Sequence, residues 1–540
     1  MPSKAGSRYP FAPTTNRGST RRRNPPVPED RDRIDDESSL AEDLAEAAAR
    51  EGLDLQSEQA QELSEAHVQV EVAGGKEVSG LDITKAKIRD YGLRPLAILF
   101  ILNAVDEFDR SVLAVALEPI REYFEVSDTV VSLLPLAFVF LAGVIGVPAG
   151  TWADRWVRKY ILAGGAIVWA GAGFMAAAAQ NFFQLFASRM LLGAGQGTIG
   201  PTHLSLLSDY YPVEIRGRVL GYHRSANPFG QILGAVIGGF IVAILGWRWA
   251  FAIAALPGLV FGIYALWLRE PKRGESDLDA ATSANPILAE FLKEPEEKAK
   301  FFASLKVIFK IPTLRSLIIA NSSVGFALVG VIFWLPGLFE RRYGFTTKQA
   351  SLVLGILAFA TFIGTWYGSP KADRNVGQGF NFMTRYGAKS VMWVTIAWPL
   401  AFLIPNPWVT TALMAISAGV ASYGIPGLVA VVAASAPPRI RSQAFAAFGL
   451  ALAVCGAAVA PLIIGVVSDV LQGWNVNSGD SLRLAMLAST VVVVGIGNWF
   501  IFRASDTAAD DVNRTIADFL NEMTQGKAAS VTSSAAEGTS

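Results

Sequence analysis

The sequence predicts an all-α membrane protein with twelve transmembrane helices in two six-helix pseudo-repeats. Three observations point there. Apolar runs near twenty residues recur through the middle of the chain. Only 17% of its 540 residues are charged, where soluble domains carry about 25%. Loop motifs in the first part of that middle return about 220 residues later.

A run of about twenty apolar residues crosses the ~30 Å hydrocarbon layer as a helix. Inside lipid the backbone must bond to itself, so helix is the default. Spans are expected at 95–117, 129–150, 159–179, 183–207, 218–244, 249–268, 314–338, 348–368, 386–404, 407–433, 442–467 and 482–503. They divide the chain into a tail (1–90), a six-helix bundle (91–268), a linker (269–312), a second six-helix bundle (313–504) and a closing tail (505–540). The first tail carries Arg21, Arg22 and Arg23, then an acidic stretch, and no apolar core of signal-peptide type. Its composition suggests disorder with a polar helix around 39–66, and its arginines suit anionic lipid. A short amphipathic helix is expected around 512–523.

Orientation follows from lysine and arginine placement. Arg155, Arg158, Lys159, Arg216, Arg218, Lys371, Arg374, Arg385, Lys389, Arg439 and Arg441 follow the even-numbered spans two, four, eight and ten, and the central linker adds more. The opposite loops hold fewer, chiefly Arg121, Arg248, Arg341, Arg342, Lys348 and Arg483. Both termini and the linker are therefore expected to be cytoplasmic, in a multi-pass inner-membrane protein.

Several functions are excluded. Zero formal net charge gives no argument for nucleic-acid binding. The single cysteine, Cys455, cannot form a disulfide within the chain. No cluster has metal-ligand spacing. No phosphate-binding loop or nucleophile elbow occurs, and Gly193-x-Gly195-x-Gly197 lies inside an apolar span, where it is no dinucleotide fingerprint. The sequence therefore predicts no enzyme and no cofactor.

The halves echo each other through Ala153-Asp154-Arg155 and Ala372-Asp373-Arg374, after spans two and eight. The loop from Gly146 through Gly150, Asp154, Arg155 and Arg158 to Lys159 resembles the signature loop of the major facilitator superfamily, which latches the outward-open state. It departs at Val157, where the family usually has glycine. In the second copy Asp373 stands five residues after Gly368, not four. The resemblance makes Asp154, Arg155, Arg158, Asp373 and Arg374 gating candidates. In span five, Gly230, Gly234 and Gly238 form a ridge without side chains on which another helix can pack and slide. That spacing resembles a facilitator antiporter motif, and ordinary close packing explains it equally.

A closer resemblance, over most of 95–503, is to the Spinster branch, the lipid-exporter-like facilitators. It rests on Asp109-Arg110-x2-Leu113 with Leu117-Glu118-Pro119-Ile120; on Arg189-x3-Gly193-Ala194-Gly195-Gln196; on Gly246-Trp247-Arg248-Trp249-Ala250-Phe251; and on Phe333-Trp334-Leu335-Pro336 with Glu340-Arg341-Arg342-Tyr343-Gly344. That branch usually has an acid where this chain has Gln196, and glutamine carries no proton.

A charge at mid-bilayer costs roughly 2.5–3.5 kcal/mol even on lenient scales, so intramembrane ions read as functional. Span one holds Asp106, Glu107, Asp109 and Arg110. At ~1.5 Å per residue Asp106 lies about 16 Å and Arg110 about 22 Å from the span's start. Together with Asn103 they form a stripe expected to face a central cavity. Arg189, about 9 Å from the other face, is placed to flank the same anionic group as Arg110. Asp109 is expected to pair with Arg110 or Arg189, leaving Asp106 or Glu107 to carry a proton; a static ion network is the structural alternative. Arg224, beside His223, is a substrate or gate candidate or an interfacial snorkel, and Trp334, beside Pro336, is a substrate-contact candidate. These residues point to a secondary active transporter. By resemblance it exports an amphipathic or lipid-like organic anion in exchange for protons, as a monomer. Proton-driven uptake of a small organic acid is the nearest rival, and a non-transporting receptor or assembly factor is the rival of another class.

Overall fold

The computed structural model describes residues 92–211, 213–272, 301–437 and 440–537. The expected first tail and the middle of the linker lie outside them. The described residues form no strand. Helices run as α1 Arg94–Phe124, α2 Leu133–Arg155 (preceded by the one-turn Asp128–Val131) and α3 Arg158–Ala177. Next come α4, built from Phe182–Gly197 and Ile199–Tyr210, α5, which starts at Val213–Leu233 and ends at Gly239–Leu245, and α6 Trp247–Tyr264. After a two-turn helix Phe301–Ile308 follow α7 Pro312–Tyr343, α8 Thr347–Asn375, α9 Phe380–Leu403, α10 Pro407–Ser435, α11 from Arg441–Leu452 to Ala460–Gly473, and α12 from Ser478–Ser489 to Gly495–Glu537.

Among the described residues, nine helical stretches are long and apolar enough to cross a membrane. The chain is a multi-pass helical membrane protein, and the order of helices is consistent with twelve spans. Outside that set of nine, α1 carries four charges within five residues, α4 breaks at Thr198, and α9 carries Arg385 and Lys389. The short helix expected at 512–523 is no separate element: α12 continues unbroken through it. Two side chains tie this extension to its neighbours. Asp511 accepts from the Thr313 backbone N–H at the start of α7 (2.9 Å), and Thr515 donates to the Ser435 carbonyl at the end of α10.

Packing repeats with a shift of six. In the first half α2 packs on α4, α3 on α4 and α6, and α1 on α5 and α6; in the second α8 packs on α10, α9 on α10 and α12, and α7 on α11 and α12. Glycine sets how closely these helices approach. A Cβ on Gly193 would strike the Phe138 carbonyl of α2, and one on Gly364 would strike Gly419 of α10. Backbones that close gain van der Waals contact, which substitutes in lipid for the missing hydrophobic drive between helices. A π-helical turn interrupts α5 at Gly234–Gly238, α7 at Phe326–Val331, α11 at Ala453–Val459 and α12 at Thr490–Val494.

The hydrophobic core is asymmetric. One cluster joins Val112, Leu113, Leu117, Ile120, Val131 and Leu134 of the first half to the core of the second. Another, around Leu96, Leu99, Leu162, Leu206 and Tyr211, belongs almost wholly to the first half. The halves thus share a core toward the end that carries Phe124 and Asp128.

Candidate functional site

Span one positions the polar stripe through its packing on α5. The Gly230, Gly234 and Gly238 ridge faces Ala104, Phe108 and Val112 of α1, each pair so close that an added Cβ would collide. Two spacings of four residues run against each other, so the contact continues along one face of each helix. This register places Asn103 against α5, where it donates to the His223 carbonyl (3.1 Å) and to the Asn227 side chain. Glu107 accepts from Gln231 at 3.0 Å. A turn away the charges diverge. Arg110 pairs with Asp106 at 3.1 Å, remains 44% exposed and lies over the Phe138 ring. Asp109 is buried and accepts from Arg189 of α4 at 2.9 Å.

The open choice at Asp109 therefore resolves to Arg189. The Arg189 guanidinium stacks 4.0 Å over Phe251 of α6. A ring face beneath a cation offsets part of its desolvation. Its Nε and second Nη atom have no partner among the described residues, and neither does the amide of Gln196, two turns further along α4. Arg110 and Arg189 do not flank one common anion here, because each holds a carboxylate of its own.

The other candidates scatter. Arg224 is exposed, while its neighbour His223 is buried and meets His203 of α4 ring to ring, Nε2 to Nδ1 at 3.0 Å. Trp334 is fully buried and donates to the Pro461 carbonyl of α11 at 3.0 Å, so it is packed between helices rather than offered to a solute. Arg158 is buried, holding Glu270 after α6 (2.9 Å) and Asp209 and Ser205 of α4. It braces the first half internally. Arg155 is exposed. The side chains of Asp154, Asp373 and Arg374 lie outside the described residues.

Sequence reasoning missed an ion cluster that joins the two halves at the Asp128 end. Arg341 of α7 binds Asp128 with both terminal nitrogens, each at 2.8 Å, and binds Glu118 of α1 at 2.6 Å. Arg121 pairs with the other Glu118 oxygen at 2.6 Å. From α11, Ser468 and Gln472 donate to Asp128 at 2.7 and 3.0 Å. Asp469 accepts the backbone N–H groups of Asp128 and Thr129 at 3.0 and 2.8 Å, capping a helix of the opposite half. Glu118 and Arg341 stood inside motifs already noted, but nothing in a single sequence pairs residues more than two hundred positions apart.

A bundle of membrane helices with a buried ion pair in one half and ionic closure between halves is built as a transporter of small molecules. The profile of the Major Facilitator Superfamily matches residues 99–383. The chain belongs to that superfamily, whose members are transporters and not enzymes. Among similar proteins, a probable L-galactonate transporter of Escherichia coli K12 is 24% identical over 78% of this chain and 91% of its own length. A probable sphingolipid transporter, spinster homolog 1 of Arabidopsis thaliana, is 24% identical over 77% and 91%. The crystal structure of a bacterial homolog to the human lysosomal transporter Spinster, in an inward-facing and unoccupied conformation, superposes with a TM-score of 0.68. It is 23% identical and covers 78% of this chain and 98% of its own.

Proposed function

We propose that this transporter is a proton-coupled exporter of an amphipathic or lipid-like organic anion, working by alternating access in the inner membrane with both termini cytoplasmic. The observation that carries the reading is the pair of ion pairs on α1. Asp109 is locked with Arg189 in a buried site, and one turn away Asp106 holds an exposed Arg110. An exposed guanidinium at that depth is stable when it faces a water-filled space, and there it can take a substrate anion in place of Asp106. For exchange the proton must leave as substrate binds: Asp106 accepts from a donor of the substrate's head group on the outward stroke and takes a proton in its place on the return. Gln196 cannot serve as a proton site, so coupling falls to the carboxylates of α1. The Arg341 cluster acts as the closed outer gate, and the Asp154 and Asp373 loops with Arg155 and Arg374 close the cytoplasmic side in the opposite state. Similarity to a Spinster homolog solved facing inward fits this assignment.

Proton release from proteoliposomes, followed with a pH dye on adding lysolipids, lipid-like amphiphiles or sugar acids, tests it. The wild type is expected to release protons when an amphiphilic anion is added, and Asp106→Asn to abolish the release while substrate binding persists. Full proton-driven transport by Asp106→Asn would refute the carrier role. Proton-driven uptake of a small organic acid is the second reading, favoured by similarity to the probable L-galactonate transporter; proton uptake with sugar acids alone would select it.

A further inference from the structure

We propose that the groove between α8, α9 and α10 binds an anionic phospholipid of the membrane, phosphate on Lys389 and acyl chain toward the bilayer centre. The groove shares no residue with the charged stripe of α1 and α4. It has a volume of about 540 Å³ and is lined by all three helices. Its floor is α10, which Gly364 and Gly368 of α8 approach so closely that a Cβ on either would strike the α10 backbone. With the floor drawn in, space opens between α8 and α9.

Chemistry is sorted along the groove. Toward the end that the positive loops mark as cytoplasmic stand Tyr367, Tyr386, Lys389 and Tyr423, with Tyr386 and Tyr423 rings 5.9 Å apart. Toward the bilayer centre stand Ile363, Trp393 and Ile416. Polar donors at one end and an apolar channel at the other match an amphiphile in one orientation.

Lys389 decides the sign of the head group. It lies about 5 Å past the start of the span expected at 386–404, on an exposed face of α9. It forms no hydrogen bond or ion pair among the described residues. An ammonium facing lipid is costly unless it snorkels to water or meets an anion, and at the interface the anion at hand is a lipid phosphate. Phenolic hydroxyls beside it supply further donors. A second groove, of about 1100 Å³, lies at the corresponding place in the first half, between α2 and α3 over α4, but its polar end carries Glu270 as well as Arg155, Arg158 and Lys272.

The test is photolabelling of the purified full-length chain by a phosphatidylglycerol with a diazirine in its acyl chain, read by mass spectrometry of peptides containing Trp393 and Ile416. Labelling is expected there. It should fall about fivefold in Lys389→Gln, return in Lys389→Arg, and match the Lys389→Gln level when the probe is phosphatidylcholine. Undiminished labelling in Lys389→Gln, or equal labelling by phosphatidylcholine, overturns the proposal. So does full competition by inorganic phosphate, which would mark a free-anion site instead. Lys389 is exposed, so unchanged unfolding temperatures of the variants are expected to confirm that folding is not at issue.

Discussion

The Asp109–Arg189 pair and the Arg341 cluster are both buried ion networks built on α1, yet they connect different partners. The first joins α1 to α4 within one half. The second joins α1 and the start of α2 to α7 and α11 of the other half. Rocking one half against the other leaves the first intact and requires the second to break. The difference shows in how each is satisfied. Arg189 makes one ion pair and rests on a ring, while Asp128 accepts from Arg341, Ser468 and Gln472 together. Several moderate bonds that part together suit a gate, and one desolvated pair suits a permanent fixture.

Breaking the fixture should have the largest effect. Arg189→Met leaves Asp109 buried without a cation, and about 3–5 kcal/mol of stability should be lost. Thermal unfolding in detergent reads this. Adding Asp109→Asn should recover much of the loss, because the uncompensated charge is gone; a double variant as unstable as the single would mean that packing, not charge, holds the site.

Breaking the gate should change conformation more than stability. Arg341→Gln removes the bidentate link to Asp128 and should shift the balance between closed and open outer ends by about 1.5–3 kcal/mol. Spin labels replacing the exposed Tyr123 and Trp474, on a Cys455→Ser background, should report a longer distance at that end. An unchanged distance would remove the cluster from the gating cycle.

The helix cap from Asp469 is a smaller part of the same gate. Asp469→Ala leaves the Asp128 and Thr129 N–H groups without their acceptor and should weaken closure by about 0.5–2 kcal/mol. The same labels should shift in the same direction but less. The exposed Arg385–Asp506 pair, at 3.2 Å, sharpens the contrast from below. Arg385→Gln should change stability by about 0–1 kcal/mol, and less at high salt.

Much of the first network was legible in the sequence and almost none of the second. Asp106, Asp109, Arg110 and Arg189 declare themselves because charge inside an apolar run is expensive, so each stands out one by one. Glu118, Arg121, Asp128 and Arg341 lie near span ends, where charge is cheap and common, and only their convergence gives them meaning. Trp334 is ambiguous in sequence for the related reason that a large aromatic beside a proline looks the same whether it lines a channel or seals a core.

What the sequence by itself determined is the membrane-spanning helical build, the echo between halves and the glycine ridge of α5, because length, hydropathy and spacing are local properties that lipid enforces on each segment. Tertiary structure alone decided that Asp109 goes to Arg189 and not to Arg110. It also decided that the ridge of α5 receives α1, and that Arg341 clasps Asp128 across 213 positions. Those choices depend on which helix faces which, and helix faces meet only once the bundle has closed.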